Sequence, residues 1–160
     1  MPFRVFVSSP VTGIELFRYE IMSAARHAER SGKFEFFFFE QHENARVDGK
    51  TICESIFEQS GQHFDAFFVF FQNRVGQGTV EELDHFEQSI RPGNPNCRLW
   101  WSQIYCEQHP QDVSAFLGRL HEYNTGLQCV AGEELNNAPS VLKGRFTAKL
   151  FETIGTMQGH

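Results

Sequence analysis

At 160 residues, with apolar residues making up 41% of the chain and no low-complexity tract, the sequence has the length and composition of one folded domain rather than a disordered segment. A formal net charge of −6, with Lys and Arg scattered, argues against nucleic acid as a partner. No apolar run approaches the length that spans a bilayer, and the opening MPFRVFVSS lacks the basic and apolar regions of a signal peptide, so a cytoplasmic protein with no membrane partner is expected.

Residues 3–7, FRVFV, predict a first strand. The loop SSPVTG follows, and Thr12 with Glu15 has the spacing of a capping box for a helix over about 14–31. Ile14, Phe17, Ile21, Ala24, Ala25 and Ala28 form the apolar stripe of that helix, and Ser31-Gly32 ends it. A second buried strand is expected at 34–39, FEFFFF, followed by a polar loop and a short helix over 51–61. Residues 64–71, FDAFFVFF, are too uniformly apolar for a half-exposed strand and predict one buried on both faces. Thr79-Val80-Glu81-Glu82 then starts a third helix, with Thr79 at its cap, and Arg91 to Asn96 predicts a break. Beyond it lie a strand at 97–101, a helix over 111–123, a short strand at 126–130, and an amphipathic helix opened by Pro139-Ser140.

Strands that alternate with helices, each strand a short apolar run, define an α/β fold with helices on both faces of a parallel sheet. Five strands in the order 2-1-3-4-5 give a flavodoxin-like three-layer sandwich, and residues 1–160 read as one domain. The amphipathic end leaves open that this domain belongs to a longer protein. In such a sheet the switch point falls between the first and third strands, so the loops Ser8 to Gly13 and Gln72 to Thr79 converge on one crevice.

Two glutamates follow that crevice. On a helix beginning near Val80, Glu81 shares a face with Asp84, His85 and Gln88, a solvated stripe. Glu82 shares the buried face with Leu83, Phe86 and Ile90, which aims it inward or into the cleft. Two roles stay open for Glu82: a functional carboxylate, or the third residue of a Thr79 capping box. Ser8 and Ser9, with backbone amides near Thr12 and Gly13, suit a phosphate or ribose, or else an ordinary turn. Asn73, Arg74, Gly76 and Gly78 form the second wall, where Arg74 suits a diphosphate and the glycines allow close backbone approach. Trp101, at the end of its strand, is placed either to stack on a base or in the core.

The opening VFVSSPVTGIELFRYEI resembles the VFVSS…ER start of a TIR-like family found at the front of many prokaryotic multidomain ATPases. The stretch GQGTVEEL resembles the GTxxEL motif of nucleoside 2-deoxyribosyltransferases, structural relatives of TIR domains. The resemblance spans roughly residues 4–90, and the chain carries Gly13 and Phe17 where the TIR-like opening usually has acidic residues, while Arg18 is retained. Matching GTxxEL onto this chain implies that Glu82 is the functional carboxylate. It further implies cleavage or transfer at an N-glycosidic bond of NAD or a nucleoside, in prokaryotic defence or signalling. NAD is then substrate rather than cofactor, no cofactor is needed, and a homo-oligomer is implied. A non-catalytic TIR-like module that binds a nucleotide or self-associates is the alternative, and deoxyribosyl transfer a further one.

Other chemistries find no support. Cys53, Cys97, Cys106 and Cys129 form no CxxC pair, and the seven histidines show no HxxxH or HExxH spacing, so no metal site is expected. There is no GxSxG elbow, and the glycines at 76 and 78 do not follow the first strand as a dinucleotide fingerprint does.

Overall fold

The computed structural model describes residues 2–10, 13–38, 46–47, 50–51, 63–106, 110–123 and 138–158. In chain order the elements are β1 (Phe3–Ser8), α1 (Glu15–Glu29), β2 (Phe34–Phe38), β3 (Arg46–Val47), β4 (Lys50–Thr51) and β5 (Ala66–Phe71). They continue with α2 (Gln77–His85), β6 (Arg98–Gln103), α3 (Gln111–His121) and α4 (Ala138–Gln158). After α2 the helix runs on through one wide π-turn, Phe86–Ile90, and a last α-turn, Arg91–Gly93.

The main sheet is β2-β1-β5-β6, with every pairing parallel; counted along that sheet alone the order is 2-1-3-4. β5 is central, and all six of its residues are buried, which explains the unbroken AFFVFF. Ala66, Phe68 and Phe70 point into a core closed by α1 and α4, whereas Phe67, Val69 and Phe71 point into a second core closed by α2 and α3. Rings meet across both. Phe68 stacks on Phe146 of α4 at 5.0 Å, and Phe71 meets Phe116 of α3 edge-on at 5.3 Å. Each such ring contributes about 1.5–3 kcal/mol through burial, and ring pairs add about 0.5–1.5 kcal/mol. The many phenylalanines are thus the filling of two layers, not of one.

Four strands of this sheet are described where the sequence suggests five. The expected strand at 126–130 lies outside the described residues, as do Thr12, Phe39 and most of the helix expected over 51–61. Thr51 itself belongs to β4, which pairs antiparallel with β3 in a stretch read from sequence as loop. Three boundaries also move. α2 begins at Gln77, so Thr79 lies inside the helix and is not its cap; the cap is Gly76, at φ 80° and ψ 156°. The helix does not break at Arg91 but carries on to Gly93. Pro92 has no N–H and its ring crowds the preceding turn, and the wide π-turn directly ahead of it is one of the ways a helix absorbs such an interruption. β6 extends past Trp101 through Ser102 and Gln103, both buried.

The α1 helix stops as its sequence implies: Gly32 at φ 75° donates its N–H to Glu29, and the Ser31 hydroxyl caps the Ala28 carbonyl. At the other end of α1 the Gly13 N–H donates to Glu15 Oε1 at 3.0 Å, and this bond holds the Glu15 carboxyl below its ordinary range. Among the described residues no helix is long and apolar enough to cross a membrane.

Candidate functional site

β1 leaves the sheet toward β2 on one side, and β5 toward β6 on the other, so their carboxyl ends frame the switch point of the sheet. Ser8 is the last residue of β1 and pairs in register with Val69. Its side chain lies on the same pleat face as Phe6, toward α2. There the Ser8 hydroxyl donates to Glu82 Oε1 at 2.8 Å, joining residues 74 positions apart in sequence. Glu82 is 1% exposed, on the face of α2 that also carries buried Leu83 and Phe86. Glu82 therefore reaches across to β1, and with Gly76 at the cap and Thr79 inside α2 the capping-box account fails.

Thr79 stands one turn closer to the amino end of α2, on the same face as Glu82. It is 1% exposed, and its hydroxyl has no hydrogen-bond partner among the described residues. Helical Cα–Cβ bonds tilt toward the amino terminus, so Thr79 sits over the first turn of α2. The first N–H groups of that helix point out of its amino end. Gly76 holds a backbone conformation essentially confined to glycine, and Gly78 is buried behind it. Thr79 was legible only as a cap, and its place beside the carboxylate comes from the earlier helix start.

The remaining candidates divide. Ser9 is buried beside Ser8. Asn73 and Arg74 are exposed on the loop after β5. Gly13 is exposed at φ 94°, and Phe17 is buried in the α1–α4 core, so the two departures from the TIR-like opening serve a turn and the packing. Trp101 lies inside β6, in register with Val69 and two strands from Ser8, about 10 Å by strand spacing. At 6% exposure it packs edge-on against His121 at 5.2 Å, as a core residue.

The outer face of α2 is also held. Arg119 of α3 donates to Asp84 Oδ1 at 2.8 Å and to Glu87 Oε2 at 3.0 Å. Burial works against the charged guanidinium, but the bonds to Glu87 and Asp84 outweigh it and raise the Arg119 pKa. Sequence periodicity assigned Asp84 to a solvated stripe, and no local signal pairs it with a residue 35 positions on. Among the described residues no group of three or more His, Cys, Asp or Glu is placed to hold a metal ion.

An open parallel sheet with a buried glutamate at its switch point is the arrangement of an α/β module. No family model and no curated protein matches the sequence. Among solved structures, the crystal structure of the RPS4 and RRS1 TIR domain heterodimer is similar, with a TM-score of 0.57 at 12% identity, over 96% of this chain and 98% of that one. The fold is TIR-like.

Proposed function

We propose that this TIR-like domain cleaves the N-glycosidic bond of a nicotinamide dinucleotide, with Glu82 as the carboxylate at the reacting sugar. The observation that carries this reading is the buried Ser8–Glu82 pair at the switch point of the sheet. In such a cleavage the bond from C1′ to the pyridinium nitrogen breaks and its electron pair leaves with nicotinamide. Water then adds to C1′ and releases a proton. A carboxylate beside C1′ stabilises the oxocarbenium-like charge between those events, and the Ser8 hydroxyl holds one carboxylate oxygen in place. Pyridinium leaves as a neutral base and needs no acid, whereas the base of an ordinary nucleoside does, so the dinucleotide is the simpler substrate for this site. The amino end of α2, with Arg74 exposed on the loop that leads into it, suits the diphosphate. At 1% exposure Glu82 is covered, so a ribose touches it only after the covering chain rearranges. Incubation of concentrated protein with NAD, followed by chromatography for nicotinamide, tests the reading. Release by the parent and none by Glu82→Gln is expected.

A second reading, a self-association module without catalysis, is favoured by α1. Leu16 and Tyr19 are 71% and 70% exposed and share one helix face. The similar solved structure is itself a heterodimer of TIR domains. Light scattering of the parent beside Leu16→Lys tests this reading; a monomer at all concentrations removes it.

A further inference from the structure

On the opposite face of the sheet from Glu82, α1 and α4 leave a groove of about 660 Å³ that reaches the start of β2. Its recess is set by Ala24 and Ala28, two small residues one turn apart on α1, facing Leu150 and Ile154 on α4. The polar part of its lining is one-sided. His27, Arg30 and Lys143 line it, and among the described residues no carboxylate does, on a chain whose net charge is −6. Lys143 is engaged by Glu20 at 3.3 Å. The His27 and Arg30 side chains are exposed at the carboxyl end of α1 and meet no carboxylate among the described residues.

We propose that this groove binds a small amphipathic anion, an organic acid whose head sits between His27 and Arg30 and whose apolar body lies in the Ala24–Ala28 trough. The volume falls within the range of small-molecule sites, and the mix of an apolar floor with a few convergent charges is their usual composition. An arginine on an acidic protein, with an imidazole N–H donor one turn away, selects for a hydrogen-bonding anion, and the arginine fork suits a carboxylate in particular. The lining runs from Ser23 on α1 to Ser31 just past its end, and from Lys143 to Ile154 on α4, about 12–16 Å of helical rise, the length of a medium-chain acid with room to spare. A symmetric contact between two copies through this face would set the cations of one against those of the other.

The test uses octanoate as probe and 1-octanol as its uncharged match, titrated calorimetrically into the full chain. One-to-one binding of octanoate, with octanol weaker, is expected. Arg30→Gln, on an exposed residue, should weaken octanoate binding about tenfold. Ala28→Leu fills the trough without removing a charge and should abolish binding. Melting temperatures confirm that both variants are folded, and Arg30→Gln alone suffices if Ala28→Leu is not. Equal binding of octanol and octanoate, or undiminished binding by Arg30→Gln, overturns the proposal. So does a concentration-dependent dimer that Ala28→Leu dissolves, which gives the groove to a second copy. Binding only to phosphatidylglycerol vesicles, and not to free octanoate, likewise overturns it in favour of a membrane surface.

Discussion

The hydroxyl of Ser8 and the carboxylate of Glu82 meet at 2.8 Å, and through them the end of the first strand is tied to the helix after β5. A buried hydrogen bond of this kind contributes about 0.5–1.5 kcal/mol. Ser8→Ala should lower stability by that amount in urea unfolding. A double-mutant cycle with Glu82→Ala, which removes the accepting oxygen, should return a coupling of at least about 1 kcal/mol. Additive effects of the two changes would show that the contact does not hold the strand and helix together.

Glu82→Gln keeps an oxygen that accepts from Ser8, so its own stability cost should stay near or below about 1.5 kcal/mol. If the carboxylate faces a developing oxocarbenium, turnover should fall roughly a hundredfold or more. Glu81, whose side chain accepts from Gln77 at 3.1 Å on the outside of the helix, is the control, and Glu81→Gln should stay active. A Glu82→Gln protein that melts normally and releases nicotinamide at the parent rate would leave the pair a purely structural tie.

Two glycines should respond in opposite directions. Gly76, at φ 80° and ψ 156°, occupies a region closed to other residues, so Gly76→Ala should cost about 1–3 kcal/mol. Gly118 is exposed inside α3, and a Cβ there meets nothing within 4 Å. Gly118→Ala should therefore stabilise the domain by about 0.5–1 kcal/mol. Thermal melts of the two variants beside the parent check both signs.

Alkaline pH should weaken the fold. Burial, and secondarily the charge of Asp65, pushes the Cys97 thiol from 9.0 up to about 12. Burial, reinforced by a hydrogen bond to Glu87, pushes the Tyr123 phenol from 10.0 up to about 12. Both groups hold their protons more tightly folded than unfolded. As pH rises past 9 to 10 the unfolded chain ionises first, and stability falls until the folded groups ionise near 12. Urea midpoints between neutral pH and about pH 11 should decline, and Tyr123→Phe should flatten part of the decline. A midpoint that holds steady across that range would contradict the assignment.

The layers of this fold are legible in the sequence because burial on two faces leaves a plain trace: AFFVFF has no polar alternate, and α1 repeats its apolar residues at helical spacing. Glu82 was legible for the same reason, since helical periodicity put it with Leu83 and Phe86. The alternative role for it, the third residue of a Thr79 capping box, fails because Gly76 turns the chain into the helix three residues earlier. That turn depends on a positive φ that composition does not reveal. Trp101 looked terminal because Ser102 and Gln103 are polar, yet backbone pairing to Phe70 and Phe71 keeps both in β6. The clamp of Arg119 on Asp84 is long-range and leaves no local trace at all.

The central place of β5 also governs the order in which the molecule can assemble. Strand β1 pairs with β2 through a nearby helix, but its other edge pairs with residues about sixty positions on, Val5 with Ala66. A nascent chain that has finished β2 therefore carries a phenylalanine-rich two-stranded unit whose inner edge has no neighbour until β5 emerges. Closing that long loop is the entropically costly event, and it should set the folding rate. Substitutions in β5, such as Val69→Ala, should slow refolding, whereas those in α3 should mainly speed unfolding. Until the closure is made, the open edge of β1 is where this chain is most prone to pair with another copy of itself.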